Sequence, residues 1–260
     1  MTTSVEATAA LRWIGRWDAQ QEHNLPDREE RFTAIIDAVA ETAGPAPLVI
    51  DLGCGPGSLS VRLLARLPDA TVMAVDADPL LLGLGEAAYG SAYGRLRFAE
   101  LDLQQPGWSV RLGLDRLADA AVSTTALHWL RPDALAAMYA ELATVLRPGG
   151  LLLNGDHLAE DEAAVPALTR LGRALSEREE LRRAPNGRAE VWSAWWDAVK
   201  ADPALAGLVS ARERRLVSSE HHGSPSGLLA THVAALRAAG FAEIGTLWQR
   251  GDNRLLCGVR

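Results

Sequence analysis

The stretch Val49-Ile50-Asp51-Leu52-Gly53-Cys54-Gly55-Pro56-Gly57-Ser58 decides how the rest of the chain is read. A mostly apolar run passes into three glycines at alternate positions, and Ser58 then opens a segment with leucines at helical spacing. A strand, a glycine turn and a helix in that order let the backbone turn sharply and approach a ligand without side-chain obstruction. A dinucleotide pyrophosphate normally uses Gly-x-Gly-x-x-Gly, with the third glycine inside the helix. Position 58 is serine instead, which points away from NAD.

Outward from this loop, short apolar runs alternate with helical segments between Pro47 and Asp156, the βαβ rhythm of a parallel sheet. Strands are expected at Leu48–Leu52, Thr71–Asp76, Leu96–Glu100, Ala118–Ser123 and Leu151–Asp156, each apolar enough to be covered on both faces. Helices are expected at Ser58–Leu67, Pro79–Ala88 and Pro132–Leu146, with Pro79 and Pro132 in first turns and Pro148-Gly149-Gly150 as a terminating turn. After Asp156 the rhythm breaks, and residues 157–225 read as an inserted helical cap. Within it, Arg188–Lys200 carries three tryptophans. Residues 226–260 resume the pattern with a helix at Leu228–Ala239, stopped by Gly240, and an antiparallel hairpin of Phe241–Gln249 and Arg254–Val259 turned at Arg250-Gly251-Asp252-Asn253. Residues 1–45 hold an amphipathic helix at Asp27–Thr42, preceded by Trp13 and Trp17.

With 260 residues, 48% hydrophobic and 23% charged, the composition is that of a folded chain and excludes a polar tail or a fibre. The formal charge of −7 and pI near 5.4 argue against a nucleic-acid partner, whose binding rests on clustered Lys and Arg. The Arg-rich run from Arg170 to Arg188 is interleaved with Glu177, Glu179 and Glu180 and reads as a solvated helix face. No apolar run is long enough for a membrane span, and the N-terminus has no leader character. Two cysteines, Cys54 and Cys257, lie too far apart in sequence for a disulfide scaffold or a zinc site, so a cytoplasmic protein without a structural metal is expected.

Asp76 ends the second strand, where an α/β nucleotide site puts a carboxylate that accepts both ribose hydroxyls. Asp102 follows the third strand, in position to accept an adenine amine. Together with the loop, these acids describe an adenosine site without phosphates. The sequence resembles the class I S-adenosylmethionine-dependent methyltransferases in four stretches: Val49 to Gly57, Val75-Asp76-Ala77, Leu101-Asp102-Leu103, and Leu146-Arg147-Pro148-Gly149-Gly150-Leu151. The resemblance implies a single Rossmann-like domain, with sheet order 3-2-1-4-5-7-6, strand 7 antiparallel, an N-terminal helical lid over residues 1–45 and a binding core over 46–156. It implies S-adenosyl-L-methionine as cofactor, with S-adenosyl-L-homocysteine as product. By carry-over Asp51 and Gly53 contact the methionine amine, Gly55 and Gly57 let the loop approach, Asp76 and Ala77 hold the ribose, and Asp102 and Leu103 the adenine. Arg31, from the lid, is placed to reach the methionine carboxylate.

The fourth strand runs into Val122-Ser123-Thr124-Thr125-Ala126-Leu127-His128-Trp129-Leu130, at the switch point where open α/β sheets bind ligands. The run is similar to the Ser-Asn-x-Ala-Leu-His-Trp motif of small-molecule methyltransferases, with Thr124, in the cofactor-binding set, replacing asparagine. His128 is the imidazole nearest the expected transfer point; a group of ordinary pKa about 6.5 suits a general base, while a turn-orienting role is the alternative. Trp129 is read as a pocket wall. Trp192, Trp195 and Trp196 share one helix face, either as core of the cap or as roof of an acceptor pocket. His23, His157, His221 and His222 read as solvated. Methyl transfer to a small-molecule acceptor is the expected function; a tRNA or protein acceptor, or a non-methylating protein of the same fold that binds the cofactor, are the alternatives.

Overall fold

The computed structural model describes residues 5–25, 27–183, 190–216 and 227–260, so His221 and His222 lie outside the described residues. Two helices come first, α1 (Ala7–Asn24) and α2 (Arg28–Thr42). Then β1 (Leu48–Leu52), α3 (Ser58–Arg66), β2 (Thr71–Asp76), α4 (Pro79–Tyr89) and β3 (Leu96–Glu100) follow in βαβ alternation. A short α5 (Trp108–Arg111) leads to β4 (Ala118–Thr124), α6 (Pro132–Val145) and β5 (Leu146–His157). Three helices, α7 (Pro166–Arg183), α8 (Trp192–Ala201) and α9 (Ala206–Leu216), precede α10 (Leu229–Ala238), β6 (Glu243–Arg250) and β7 (Asn253–Val259).

The seven strands form one sheet in the order β3-β2-β1-β4-β5-β7-β6, parallel except for β7, which pairs antiparallel with both neighbours. This is the expected Rossmann-like topology. β1, the loop's strand, is buried throughout, as an apolar strand between helical layers must be. One layer of core holds Ile50, Trp108, Tyr139 and Leu256; the other holds Phe32, Ile35, Leu63 and Leu255. α4 starts cleanly because Pro79 sits in its first turn and Asp78 caps it, accepting from Leu80 N at 2.9 Å.

Three expectations need correction. β3 is not covered on both faces: as the sheet's edge it is half exposed beyond Leu96. β5 begins at Leu146 rather than Leu151, because Leu146 pairs with Ala118 before the register shifts to Leu151 opposite Ala120. Pro148-Gly149-Gly150 is therefore an irregularity of a strand, not a turn ending α6. At the N-terminus, the tryptophans before α2 sit on a helix of their own, α1.

A third apolar cluster lies outside the sheet and joins α1, α4 and α8. Trp13 and Trp17 of α1 meet Trp195 at ring-centroid distances of 5.9 and 5.0 Å, and Leu80, Leu81 and Leu84 of α4 close the cluster. Trp195 is fully buried and Trp196 nearly so, whereas Trp192 is 46% exposed. The three tryptophans of α8 thus do not share one environment: two are core, and one lies on the surface against Trp17. Among the described residues, no helix is long and apolar enough to cross a membrane.

Candidate active site

The carboxyl ends of β1, β2, β4 and β5 converge on the glycine loop. The loop is anchored by Gly53 N and Cys54 N, which both donate to Val75 O of β2. Gly53 has φ +70°, and a Cβ there would lie 2.3 Å from Ala126 Cβ in the turn after β4, so only glycine lets the two turns approach. Asp76 fixes the loop's next residue: its carboxylate accepts from Gly55 N at 2.8 Å and from Asp78 N at 2.9 Å. Each oxygen retains a lone pair for a further donor.

Asp51 is wholly buried in β1. Its Oδ2 accepts from Ser60 Oγ at 2.6 Å, while Oδ1 has no hydrogen-bond partner. Burial, with Asp76 nearby, raises the Asp51 carboxyl to about 7, and burial likewise raises Asp76 to about 6. A buried carboxylate oxygen left without a donor, beside a second carboxylate, calls for a ligand that brings a cation and hydroxyl or N–H groups. The same pair repels a phosphate. Cys54, between them, is buried and its thiol is pushed well up by burial and by both acids, so it is an inert filler.

Asp102 follows β3, where its Oδ1 accepts from Gln104 N at 2.9 Å and its Oδ2 lies 4.0 Å from Arg215 of α9. Arg212, one turn earlier on α9, pairs with Asp78 at 2.6 Å and stacks on Trp196 at 3.9 Å. α9 therefore covers the β2 and β3 side of the cleft, a contact that the sequence did not announce. On the other side Asp18 of α1 accepts from Ser58 Oγ at 2.6 Å and pairs with Arg28 and Arg62. Trp17 then lies over the loop, 3.8 Å from where a Cβ on Gly55 would be.

Arg31 of α2 is fully buried at the ends of β4, β5 and β7. It donates to Thr124 Oγ1 at 2.6 Å and to Asn253 Oδ1 at 2.7 Å, while its Nε has no partner. Burial lowers it to about 10, opposed by the charge of Asp156. Gly155 makes room for it, since a Cβ there would lie 2.6 Å from Arg31 Cδ. Thr124, expected at the cofactor, has its hydroxyl oxygen engaged by this guanidinium.

His128 lies in a short 3-10 turn after β4, with Trp129 at 4.9 Å and 49% exposed. Its Nδ1 is 2.8 Å from Oδ1 and 3.0 Å from Oδ2 of Asp156, a buried residue at the end of β5. Asp156 was missed in the sequence, where the only signal was an acid closing the strand beside the histidine's own. His157 is exposed and pairs with Asp252, and His23 is exposed, both as expected of solvated residues. Ala77 and Leu103 stand beside Asp76 and Asp102 in the turns after β2 and β3. No cluster of metal-ligating side chains occurs among the described residues.

A family model described as a methyltransferase domain matches residues 49–150. Trans-aconitate 2-methyltransferase of Methylobacterium radiotolerans is 33% identical over 182 residues, covering 69% of this chain and 57% of that protein. The enzyme of the same name from Deinococcus radiodurans is 31% identical, covering 61% of each. The chain thus spans about three fifths of the length of these curated relatives. Among solved structures, magnesium protoporphyrin IX methyltransferase from Synechocystis with bound SAH superposes with a TM-score of 0.51 at 19% identity, over 90% of this chain and 84% of that one. An O-methyltransferase family protein from Burkholderia thailandensis gives 0.51 at 20% identity, over 99% and 63%. At these identities the likeness is one of fold.

Proposed function

We infer that this chain, which belongs to the class I S-adenosylmethionine-dependent methyltransferase family, moves a methyl group from S-adenosylmethionine to a small-molecule acceptor. The observation that carries the reading is the unsatisfied buried oxygen of Asp51 beside Asp76 at the glycine loop. These residues fit an adenosyl amino acid, which offers an ammonium group and two ribose hydroxyls and has no phosphate. Asp51 and Gly53 would hold the amine, Asp76 and Ala77 the ribose, Asp102 and Leu103 the adenine, and Arg31 beside Thr124 the methionine carboxylate. Gly55 leaves the loop free of a side chain where the ligand approaches, and Gly57, at φ +87°, turns the chain into α3 with Phe98 3.0 Å from where its Cβ would be.

S-adenosylmethionine, when bound, supplies a methyl already activated by the positive sulfur, and the chain's task is alignment, exclusion of water and proton removal. α1 and α2 act as the lid, held by Asp18, and α8 with α9 as the cap. Trp129 and Trp192, the two exposed indoles on the β4 turn and on α8, line the acceptor side, while Trp196 and Trp195 back Trp192 from the core. His128 is the group placed to take a proton. The names of the curated relatives favour a small acceptor, and the acidic charge disfavours RNA. A cytoplasmic location accords with two buried cysteines kept as thiols.

Calorimetry with S-adenosylhomocysteine, NAD and ATP tests the cofactor: the first should bind at least tenfold tighter than the others. NAD binding more tightly than S-adenosylhomocysteine would overturn the reading. Labelled S-adenosylmethionine offered with a panel of small acceptors, and with bulk tRNA and protein, tests the acceptor class.

A further inference from the structure

The pair formed by His128 and Asp156 says which kind of acceptor the site is built for. Asp156 is fully buried at the end of β5, and three N–H groups reach it: His128 Nδ1, His128 N at 3.3 Å and His157 N at 2.9 Å. A carboxylate only accepts, so His128 carries its ring proton on Nδ1 and presents an Nε2 lone pair. The ring keeps 20% of its side chain exposed, between Asp156 and the exposed indole of Trp129. An imidazole fixed in one tautomer by a buried acid is an arrangement for taking a proton. A carboxylic acid is already ionised at neutral pH, with a pKa of about 4, and has no proton to give up.

Resting on the methyltransferase reading above, we propose that the acceptor is a hydroxyl group, alcoholic, enolic or phenolic, and that Asp156 is the positioning residue for His128. A carboxylate acceptor, which the names of the curated relatives would suggest, has no proton for this imidazole to take. In the transfer, an oxygen lone pair of the acceptor forms the new carbon–oxygen bond while the sulfur–carbon bond breaks and its pair returns to sulfur. The hydroxyl proton passes to Nε2 of His128, and the resulting imidazolium is held by Asp156 until solvent takes the proton. No oxidant or metal enters the balance.

The test has two readouts. Long-range 1H–15N spectra of the ligand-free labelled protein at pH 8 should show His128 protonated at Nδ1, and in Asp156→Asn, whose amide can donate to Nδ1, the proton should move to Nε2. In turnover, hydroxyl acceptors should outpace matched carboxylic acids by at least 100-fold. Asp156→Asn should lower kcat by about 10²- to 10⁴-fold, with the KM for S-adenosylmethionine within about threefold and partial recovery in Asp156→Glu. A wild-type spectrum with the proton on Nε2, carboxylic acids methylated by the parent as fast as matched hydroxyl compounds, or hydroxyl turnover unchanged in Asp156→Asn would overturn the proposal. Calorimetry separates the two readings. Failure to bind S-adenosylhomocysteine sinks the cofactor assignment, whereas tight binding with carboxylate-only turnover sinks this inference alone.

Discussion

Acidification should loosen the site's hold on its cofactor, by an amount the two buried acids set. Burial raises Asp51 to about 7 and Asp76 to about 6, yet both proposed roles need the carboxylate. At pH 5.5 Asp51 then lies about 1.5 units below its titration point, which leaves roughly one molecule in 30 ionised there, and Asp76 roughly one in four. If only the doubly ionised site binds well, affinity for S-adenosylhomocysteine falls about 100-fold between pH 8 and pH 5.5, or ~3 kcal/mol. Isothermal titration calorimetry at pH 5.5, 6.5 and 8, in buffers of different ionisation heat, reads both the constant and the protons released. About one proton should leave per ligand bound near pH 6.5, because the incoming amine favours the charged form of Asp51. A dissociation constant steady within threefold across this range, with no proton release, would refute the assignment of both acids.

The same two groups fix a sign for stability. An acid whose folded value is raised binds its proton more tightly in the folded chain, so its contribution is full below the unfolded value of about 4 and is lost as pH rises through 6 and 7. The rise in Tm on adding S-adenosylhomocysteine should therefore be larger at pH 8 than at pH 5.5. Gly53→Ala should weaken S-adenosylhomocysteine at least tenfold, because the new Cβ meets Ala126 at 2.3 Å; adding Ala126→Gly should recover part of the loss in calorimetry. Trp195→Ala should cost about 3–5 kcal/mol in chemical denaturation, whereas Trp192→Ala should stay within about 1 kcal/mol and raise the acceptor KM. Asp18→Asn should cost about 1.5–3 kcal/mol, since it takes the counter-charge from Arg28, whose side chain is only 6% exposed, and should speed S-adenosylhomocysteine release in stopped flow.

What could be read from the sequence was what neighbouring residues decide. β1, β2 and the loop between β1 and α3 were legible because burial on both faces leaves a continuous apolar run and the turn needs glycines. Asp76 was legible as the acid that ends β2, whereas Asp51, inside β1, was marked only by the family resemblance. The start of β5 was not, because pairing with Ala118 across the sheet overrides the turn character of Pro148-Gly149-Gly150. The link from His128 to Asp156 depends on β4 and β5 lying side by side with Thr124 opposite Gly155, a register no local pattern contains. Arg31 reaches Asn253 across most of the chain, and Arg212 and Arg215 return over the cleft from α9. The three tryptophans of α8 suggested a common face; packing against α1 divides them.

The tryptophan cluster also bears on the order in which the protein assembles. Trp13 and Trp195 are held together by a hydrogen bond spanning 182 positions, and the α8 and α9 side of the roof exists only once chain beyond residue 190 has returned to α1 and α4. Joining segments so far apart costs loop-closure entropy that the nearer pairings of β1, β2 and β4 do not meet to the same degree. The floor of the cleft can therefore form early, with its acids and glycines in place, while the roof arrives last. The roof is thus the last part to close in folding and the part that must lift for a ligand to enter, one path taken in opposite directions.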